Sequence, residues 1–413
     1  MTSSMADDNP KHPPPWLFGI TGVPYGIGGG FVATTMPYFA RKAHFTMGDI
    51  GWYGTALLFP PVVQFLYAPI VDVGPKRKWW LVIVSAIGAL CYGLALTMPL
   101  PSKITAFLVL AFIGGTVGNL SGSCNGGLMA TTMPDHLRGA AGGWLNVGNL
   151  AGGALGAWLT LVMAEHYPPH IVGGALFALM TLPTIAVLWI EEPDRERRAA
   201  REVFSTLWHN VSKIVRAREG WTGMLLFASP VGTAALLNYF AGMAPDYRAP
   251  DSMVAFVNGP LNGLVTAAGS LLGGYLCDRA NRRAMYLLSG LLTALCGLGM
   301  MASPISPTTY AVGVGVYLFV AGFCYAAFSA AVLETIGKGG AAASTQYALF
   351  VSCGNLAINY VGLVDTRFDK GFGPRGLLGV DAALNIAGVI ALFFVFRSFG
   401  GFKKRVEEEA AAA

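Results

Sequence analysis

Twelve long apolar runs constrain this chain more than any other feature of its sequence. A membrane-spanning helix needs about 20 mostly apolar residues, and only 12% of the 413 residues are charged, against about 25% in soluble proteins. Hydrophobic residues make up 54%, so too few charged residues remain to cover the surface of a soluble protein of this size. We therefore predict an all-α polytopic membrane protein with twelve transmembrane helices. The predicted spans are 16–40, 50–72, 79–99, 103–131, 137–163, 170–190, 221–244, 252–277, 284–303, 308–333, 343–363 and 376–398.

The basic residues predict the orientation of these spans. With the N-terminus inside, 20 of the 27 lysines and arginines fall on cytoplasmic segments and 7 on outer ones, which satisfies the positive-inside rule. Both termini are then cytoplasmic. The predicted layout is a tail at 1–15, a six-span half at 16–190, a cytoplasmic linker at 191–220 with room for an amphipathic helix, a second half at 221–398 and a tail at 399–413.

The two predicted halves repeat each other at an offset of 206 residues. Pro24 aligns with Pro230, Asp72 with Asp278, and the run Gly-Asn-Leu-Ala at 148–151 with the same run at 354–357. Three separate matches at one ungapped offset indicate a tandem duplication. Parallel six-helix halves related by an axis along the membrane normal are the architecture of the major facilitator superfamily.

A loop that follows spans 2 and 8 carries an aspartate and basic residues in both halves. An aspartate at a helix end can accept hydrogen bonds from a neighbouring helix N-terminus or pair with arginine. Such contacts can form in one state of a transporter and break in the other, so we predict a gating role. The alternative is an ordinary charged cap of each loop. The candidate gating residues are Asp72, Lys76, Arg77, Asp278, Arg282 and Arg283.

Uncharged polar side chains gather in the first, fourth and fifth spans of each half. Polar groups inside a membrane need partners or water, and the first and fourth spans of each half line the central cavity in facilitators. For any single asparagine, a hydrogen bond between helices is the competing explanation. The candidate cavity residues are Tyr25, Asn119, Asn125, Asn146, Asn149, Asn238, Tyr239, Tyr325, Gln346, Tyr347, Asn355 and Asn359.

The glycines at 22–30 of span 1 lack the preceding strand and the Gly-Lys-Ser/Thr ending of a phosphate-binding loop. They predict a close-packed, locally broken helix instead.

Two carboxylates, one at the inner end of a predicted span and one within another, are candidates for proton coupling. Glu334 ends span 10, which commonly lines the cavity, and Asp381 lies in span 12, which is commonly peripheral. A proton-driven carrier needs a titratable group in or beside its pathway. There are two alternatives to these candidates. The coupling residue is a carboxylate at the membrane edge such as Asp365, or transport is not coupled to protons.

Two runs resemble a known group of transporters. The run Gln-Phe-Leu-Tyr-Ala-Pro-Ile-Val-Asp at 64–72 resembles the second-helix signature of AmpG-like muropeptide permeases and the related acetyl-CoA transporters. The run at 344–352 resembles the eleventh helix of these transporters. Siderophore importers of the same superfamily share this second motif. The resemblance implies a secondary transporter of a polar organic solute such as a muropeptide. The fourth span lacks the carboxylates usual in muropeptide permeases.

The resulting prediction is a proton-coupled secondary active transporter that works by alternating access in a bacterial inner membrane. A siderophore importer and a non-transporting receptor or scaffold are the alternatives. We predict no enzyme, because the six histidines all lie in polar segments, and no cofactor, metal site or nucleic-acid partner. The predicted partners are a small-molecule solute, protons and membrane lipids, and the predicted state is a monomer.

Overall fold

The computed structural model describes residues 12–45, 47–194, 207–337 and 342–398, and all regular structure in these ranges is helical. Spans 1 to 6 are Trp16–Lys42, a broken helix from Met47 to Asp72, Arg77–Leu96, Ile104–Thr132, Arg138–His166 and Pro169–Trp189. Spans 7 to 12 are a broken helix from Arg218 to Met243, a helix from Asp251 to Cys277, then Arg282–Ala302, Pro307–Ile336, Ala343–Asp365 and Phe372–Ser398. We call spans 1–6 the first half and spans 7–12 the second half.

The described helices have the length and composition of a polytopic membrane protein. Nine helices in the described ranges are long and apolar enough to cross a bilayer, and the bent span 2 would make a tenth. Spans 7 and 8 are helical but interrupted. Large apolar side chains such as Trp52, Leu264 and Trp189 are exposed by 77%, 74% and 66%, as expected where the solvent is lipid. The predicted all-α membrane fold is confirmed.

Span 2 is broken at its prolines. Short helices at Phe59–Val62 and Gln64–Tyr67 continue into a 3-10 turn at Ala68–Asp72, and the two parts of the span are bent by 52°. Proline removes a backbone donor and clashes with the preceding turn. The break leaves the backbone groups of Pro61 and Phe65 free to bond outside their own helix.

Span 7 is unwound between Ala228 and Ala235, where the sequence predicts a continuous helix. Gly232 and Ala234 have left-handed φ angles of 63° and 52°. Side chains from spans 9 to 12 satisfy the freed backbone: Tyr286 donates to the Val231 carbonyl at 2.9 Å and Tyr360 to the Ala228 carbonyl at 2.8 Å. Irregular backbone at membrane depth is tolerated where protein groups or a cavity satisfy it.

Span 1 is not broken at its glycines, contrary to the prediction from the sequence. Trp16–Gly30 is a continuous α-helix through Pro24, and a π-helical turn at Phe31–Thr35 follows it. The predicted break is therefore wrong, but the predicted close packing is present against span 5, since a Cβ atom on Gly26 would lie 1.7 Å from the Asn149 carbonyl oxygen. Small residues let membrane helices approach in this way.

The two halves meet through spans 2, 4 and 5 of the first and spans 8, 10 and 11 of the second. We call the end of the bundle that carries Asp72 and Asp278 the Asp72 end, and the other the far end. Of the predicted linker, residues 207–216 form a helix. The residues 1–11, 195–206, 338–341 and 399–413, which include most of both tails and the central part of the linker, lie outside the described residues.

Candidate functional site

Asp72 binds the start of a helix in the opposite half. Its carboxylate accepts hydrogen bonds from the amides of Ser344 (3.3 Å) and Thr345 (2.9 Å) and from the Thr345 hydroxyl (2.7 Å). Arg77 donates to the same carboxylate from Nε at 3.0 Å and Nη2 at 2.9 Å, and its Nε also reaches the Ser344 hydroxyl. Asp72 and Arg77 are 5% and 2% exposed, so the cluster is a buried ion pair of the first half that is hydrogen-bonded to the start of span 11.

Asp278 makes the mirror arrangement from the second half to the first. Its two oxygens accept from the amides of Gly139 at 2.7 Å and Ala140 at 2.8 Å, which begin span 5. The residue before span 5 is Leu137, whose side chain makes no capping hydrogen bond. Asp278 therefore supplies from the other half the carboxylate cap that a helix N-terminus favours.

The 206-residue offset pairs Arg77 with Arg283, but in the structure the counterpart of Arg77 is Arg282. Arg77 lies five residues after Asp72, whereas the arginine on Asp278 is Arg282, four residues on, at 3.5 Å. Arg282 also donates to the Asp135 carbonyl of the first half. Of the other predicted gating residues, Lys76 pairs with Asp194 at 2.7 Å.

Two further charged groups of this end were not predicted from the sequence. Glu192 accepts from the amides of Arg77 and Lys78 at the start of span 3, at 3.0 and 3.1 Å. Arg138 donates to the Leu333 carbonyl of the second half at 3.3 Å. The hydrogen bond from Lys76 lowers the pKa of the exposed Asp194 carboxyl below its usual value.

Arg283, the last predicted gating residue, and Glu334 lie elsewhere at this end. The Arg283 guanidinium lies 5.7 Å from the centre of the Phe396 ring, on span 12 and away from the Asp278 carboxylate cap. Glu334 lies 3.9 Å from Arg282 and its side chain is 22% exposed. It therefore belongs to the charged surroundings of Asp278 and is not among the cavity-lining residues.

Deeper in the membrane, the break in span 2 is bonded to span 11. The Phe65 amide donates to the Ser352 hydroxyl at 3.3 Å, and the Pro61 carbonyl accepts from Asn355 at 3.3 Å. In an unbroken α-helix these two backbone groups would bond each other. The interhalf bonds described here thus extend from the Asp72 end to the middle of the bundle.

A central cavity of about 170 Å³ lies above these contacts and between the halves. Six predicted cavity residues line it: Tyr25, Asn146, Asn149, Tyr325, Tyr347 and Asn355. The others that line it are Leu145, Phe227, Gly232, Thr233, Tyr286, Phe328, Ser329, Val351, Gly354 and Ile358. All sixteen are neutral residue types. Asn149 and Asn355 are related by the 206-residue offset, so each half contributes one amide to the wall.

Six predicted polar residues lie outside this lining. Asn125 is fully buried and exchanges hydrogen bonds with Thr21, accepting from its hydroxyl at 2.6 Å and donating to its carbonyl at 2.9 Å. It joins span 4 to span 1, as the helix-to-helix alternative proposes. Asn119, Gln346 and Tyr239 are half-buried, and Asn238 and Asn359 are exposed.

Glycines of span 4 make room for the two tyrosines that face each other across the halves. A Cβ atom on Gly122 would lie 3.0 Å from the Tyr25 ring, and one on Gly126 would lie 2.1 Å from the Tyr347 ring. In this span, which lacks carboxylates, these two glycines therefore form surfaces against which the tyrosine rings pack. Ser329, which accepts from Asn146 at 3.2 Å across the halves, was missed because a lone serine in an apolar run gives no signal.

Asp365 and Asp381 are both fully buried in the second half, toward the far end. Tyr317 donates to one Asp381 oxygen at 3.4 Å. The other Asp381 oxygen and both Asp365 oxygens have no hydrogen-bond partner among the described residues.

Comparisons with known proteins agree with this architecture. The family model described as Major Facilitator Superfamily matches residues 18–360, whereas no curated protein sequence matches the chain. The solved structure of the transporter FucP in the outward conformation superposes with a TM-score of 0.68 at 15% identity, over 92% of this chain and 97% of that one.

Two further structures are similar. The human organic anion transporter MFSD10 gives a TM-score of 0.70 at 16% identity, over 91% of this chain and 98% of that one. The proton:xylose symporter XylE gives 0.63 at 13% identity, over 92% and 94%. Likeness at these identities establishes the fold, and the family model covers well over half the sequence. The chain belongs to the Major Facilitator Superfamily.

Proposed function

We propose that this protein is a proton-coupled secondary transporter of a small uncharged polar solute, which binds in the central cavity. Members of its family are transporters, and FucP and XylE are named as proton symporters of fucose and xylose. The observation that carries the solute class is the cavity lining, in which asparagines, tyrosines, one serine and one threonine are the polar groups and no residue is ionic.

The size and chemistry of the cavity fit a sugar-like molecule better than a large or charged one. A water takes up about 30 Å³ in the liquid, so about 170 Å³ corresponds to roughly six waters or a small solute. Amide groups supply both donors and acceptors for hydroxyls, while aromatic rings cover apolar faces of a ligand. A muropeptide or a siderophore carries ionised groups that this lining does not pair.

The structure also supports alternating access as the mechanism. The interhalf contacts described above close the Asp72 end, while the cavity lies between them and the far end. Helix caps that cross from one half to the other can break as rigid units when the halves rock. A receptor or scaffold that does not transport would have no need of a gate that opens.

The proposed orientation follows from the basic residues. With the Asp72 end cytoplasmic, the loops after spans 2 and 8 and the linker carry most of the positive charge. The end closed by the interhalf contacts is then the cytoplasmic one, and we propose import across a bacterial inner membrane by a monomer.

Replacing Asn149 and Asn355 together with alanine should weaken solute binding without loss of folding. Each lost hydrogen bond costs about 0.5–1.5 kcal/mol, so the dissociation constant should rise roughly tenfold or more. The measurement is a thermal-shift screen of purified protein against neutral monosaccharides, polyols, muropeptides, siderophores and amino acids, because a specific ligand stabilises the folded state. Uptake into proteoliposomes follows for each hit.

Asn359→Ala is the matched control. Asn359 is one turn from Asn355 on span 11 but is exposed and outside the lining, so its variant should keep wild-type affinity. Stabilisation by charged muropeptides alone, with neutral solutes inactive, would contradict the proposed solute class. Stabilisation by a hit that is never taken up by wild-type proteoliposomes would favour the receptor.

A further inference from the structure

The second half holds two carboxylates that the cavity and the gate do not use. Asp365 on span 11 and Asp381 on span 12 are each 0% exposed. Three of their four oxygens have no partner among the described residues, and the fourth receives only the 3.4 Å bond from Tyr317. Buried polar groups are normally hydrogen-bonded, so this pair needs an explanation beyond helix packing.

The titratable groups that face this pair from other helices come from spans 7, 9 and 10, and all are neutral or acidic. Tyr317 of span 10 and Cys296 of span 9 interact with Asp381, Tyr239 of span 7 interacts with Asp365, and the two aspartates interact with each other. In the part of the chain that the structure describes, no ion pair joins a lysine or arginine to either aspartate.

An ionised carboxylate in this position lacks both water and a counter-charge. Burying such a charge costs far more than burying the neutral acid, and two ionised carboxylates side by side add repulsion. A bound proton removes the charge and with it that cost. The closed arrangement of the surrounding spans is therefore compatible with a protonated pair.

The pair is connected to the wall of the cavity through the unwound part of span 7. Asn385, one turn along span 12, donates to the Asp381 carbonyl at 2.9 Å and accepts from the Gly232 amide at 2.8 Å. Gly232 lines the cavity, and its backbone is held by these side chains rather than by its own helix. A change in the charge of Asp381 can thus alter the segment against which the solute lies.

We propose that Asp365 and Asp381 together form the proton-binding site that couples solute movement to the proton gradient, an inference that rests on the proposed transport function. A proton from water at the far end binds a carboxylate oxygen while the Asp72 end is closed. When the halves rock, the same proton leaves to water on the other side. The only bond that forms and breaks is the O–H bond of the carboxyl group, and nothing is oxidised or reduced.

The first test needs no known solute. We expect the melting temperature of the wild type in detergent to fall as the pH rises, because ionising the buried pair destabilises the fold. Asp365→Asn with Asp381→Asn should flatten that dependence, since asparagine has a similar shape and stays neutral. The control Asp194→Asn removes an exposed carboxylate and should keep the wild-type profile.

Three results would overturn the assignment. One is a double variant whose melting temperature varies with pH as the wild type does. Another is a wild-type melting temperature at high pH that sodium restores and choline at equal ionic strength does not. That result would make the pair a sodium site. If the double variant fails to fold, each single asparagine variant is measured, and an unchanged profile in both again contradicts the proposal.

The second test separates coupling from transport itself. With the neutral solute that stabilises the wild type, we expect the double variant to exchange labelled solute across proteoliposomes but to lose accumulation driven by an imposed pH gradient, so that inside and outside concentrations become equal. Wild-type exchange that ignores the gradient would leave transport standing and refute the coupling pair. Absence of both exchange and accumulation in the wild type would refute the proposed function, and with it the coupling.

Discussion

Replacing both Asp72 and Asp278 with asparagine is expected to open the Asp72 end and to abolish solute accumulation. Each carboxylate caps the first amides of a helix in the opposite half, and Asp72 also holds Arg77. Hydrogen bonds to charged groups contribute about 1.5–3 kcal/mol each. If each variant loses the equivalent of one such bond, the equilibrium between closed and open forms shifts on the order of a hundredfold or more.

Hydrogen exchange measures this opening directly. The amides of Gly139, Ala140, Ser344 and Thr345 are the donors to the two carboxylates, so peptides that contain them should exchange faster in the double variant. Asp194→Asn is the control, because its carboxylate lies at the same end but its side chain is 96% exposed. Equal exchange in the double variant and the wild type would reduce Asp72 and Asp278 to ordinary loop caps.

Replacing Gly26 with alanine should disrupt the first half. The added Cβ would lie 1.7 Å from the carbonyl oxygen of Asn149, and that oxygen is backbone, so the whole of span 5 would have to move. Overpacking typically costs about 1–3 kcal/mol and occasionally more, and a backbone clash belongs at the upper end. We expect a large fall in melting temperature and in the yield of folded protein.

Gly29→Ala gives the comparison within the same helix. Nothing lies within 4 Å of a Cβ at Gly29, and alanine is favoured over glycine in a helix interior by about 0.5–1 kcal/mol. The variant should be as stable as the wild type or slightly more so. Equal melting temperatures for the Gly26 and Gly29 variants would contradict the close packing of spans 1 and 5.

The membrane fold could be predicted because hydropathy and charge act locally along the chain. The 206-residue offset likewise located Asp72 and Asp278. The same offset pairs Arg77 with Arg283, whereas the loop after span 8 reaches its carboxylate with Arg282, one residue earlier. The unwinding of span 7 depends on side chains such as Asn385, whose contact with Gly232 is fixed by tertiary packing.

The site could be predicted only in part for the same reason. Asn149 and Asn355 line the cavity as expected, whereas Asn125 finds Thr21 close enough to satisfy its amide. Sequence alone does not show which partner a polar side chain will meet. The buried state of Asp365 was also invisible, because it lies near the predicted end of span 11, where exposure to water is the usual expectation.

Alternating access requires that the halves exchange closure at the Asp72 end for closure at the far end. Spin labels at the exposed positions His136 and Arg279 report on the first, and labels at Lys42 and Asp246 report on the second. Double electron–electron resonance should show that the Asp72→Asn, Asp278→Asn variant lengthens the 136–279 distance and shortens the 42–246 distance relative to the wild type. Both distance distributions remaining as in the wild type would contradict alternating access through this gate.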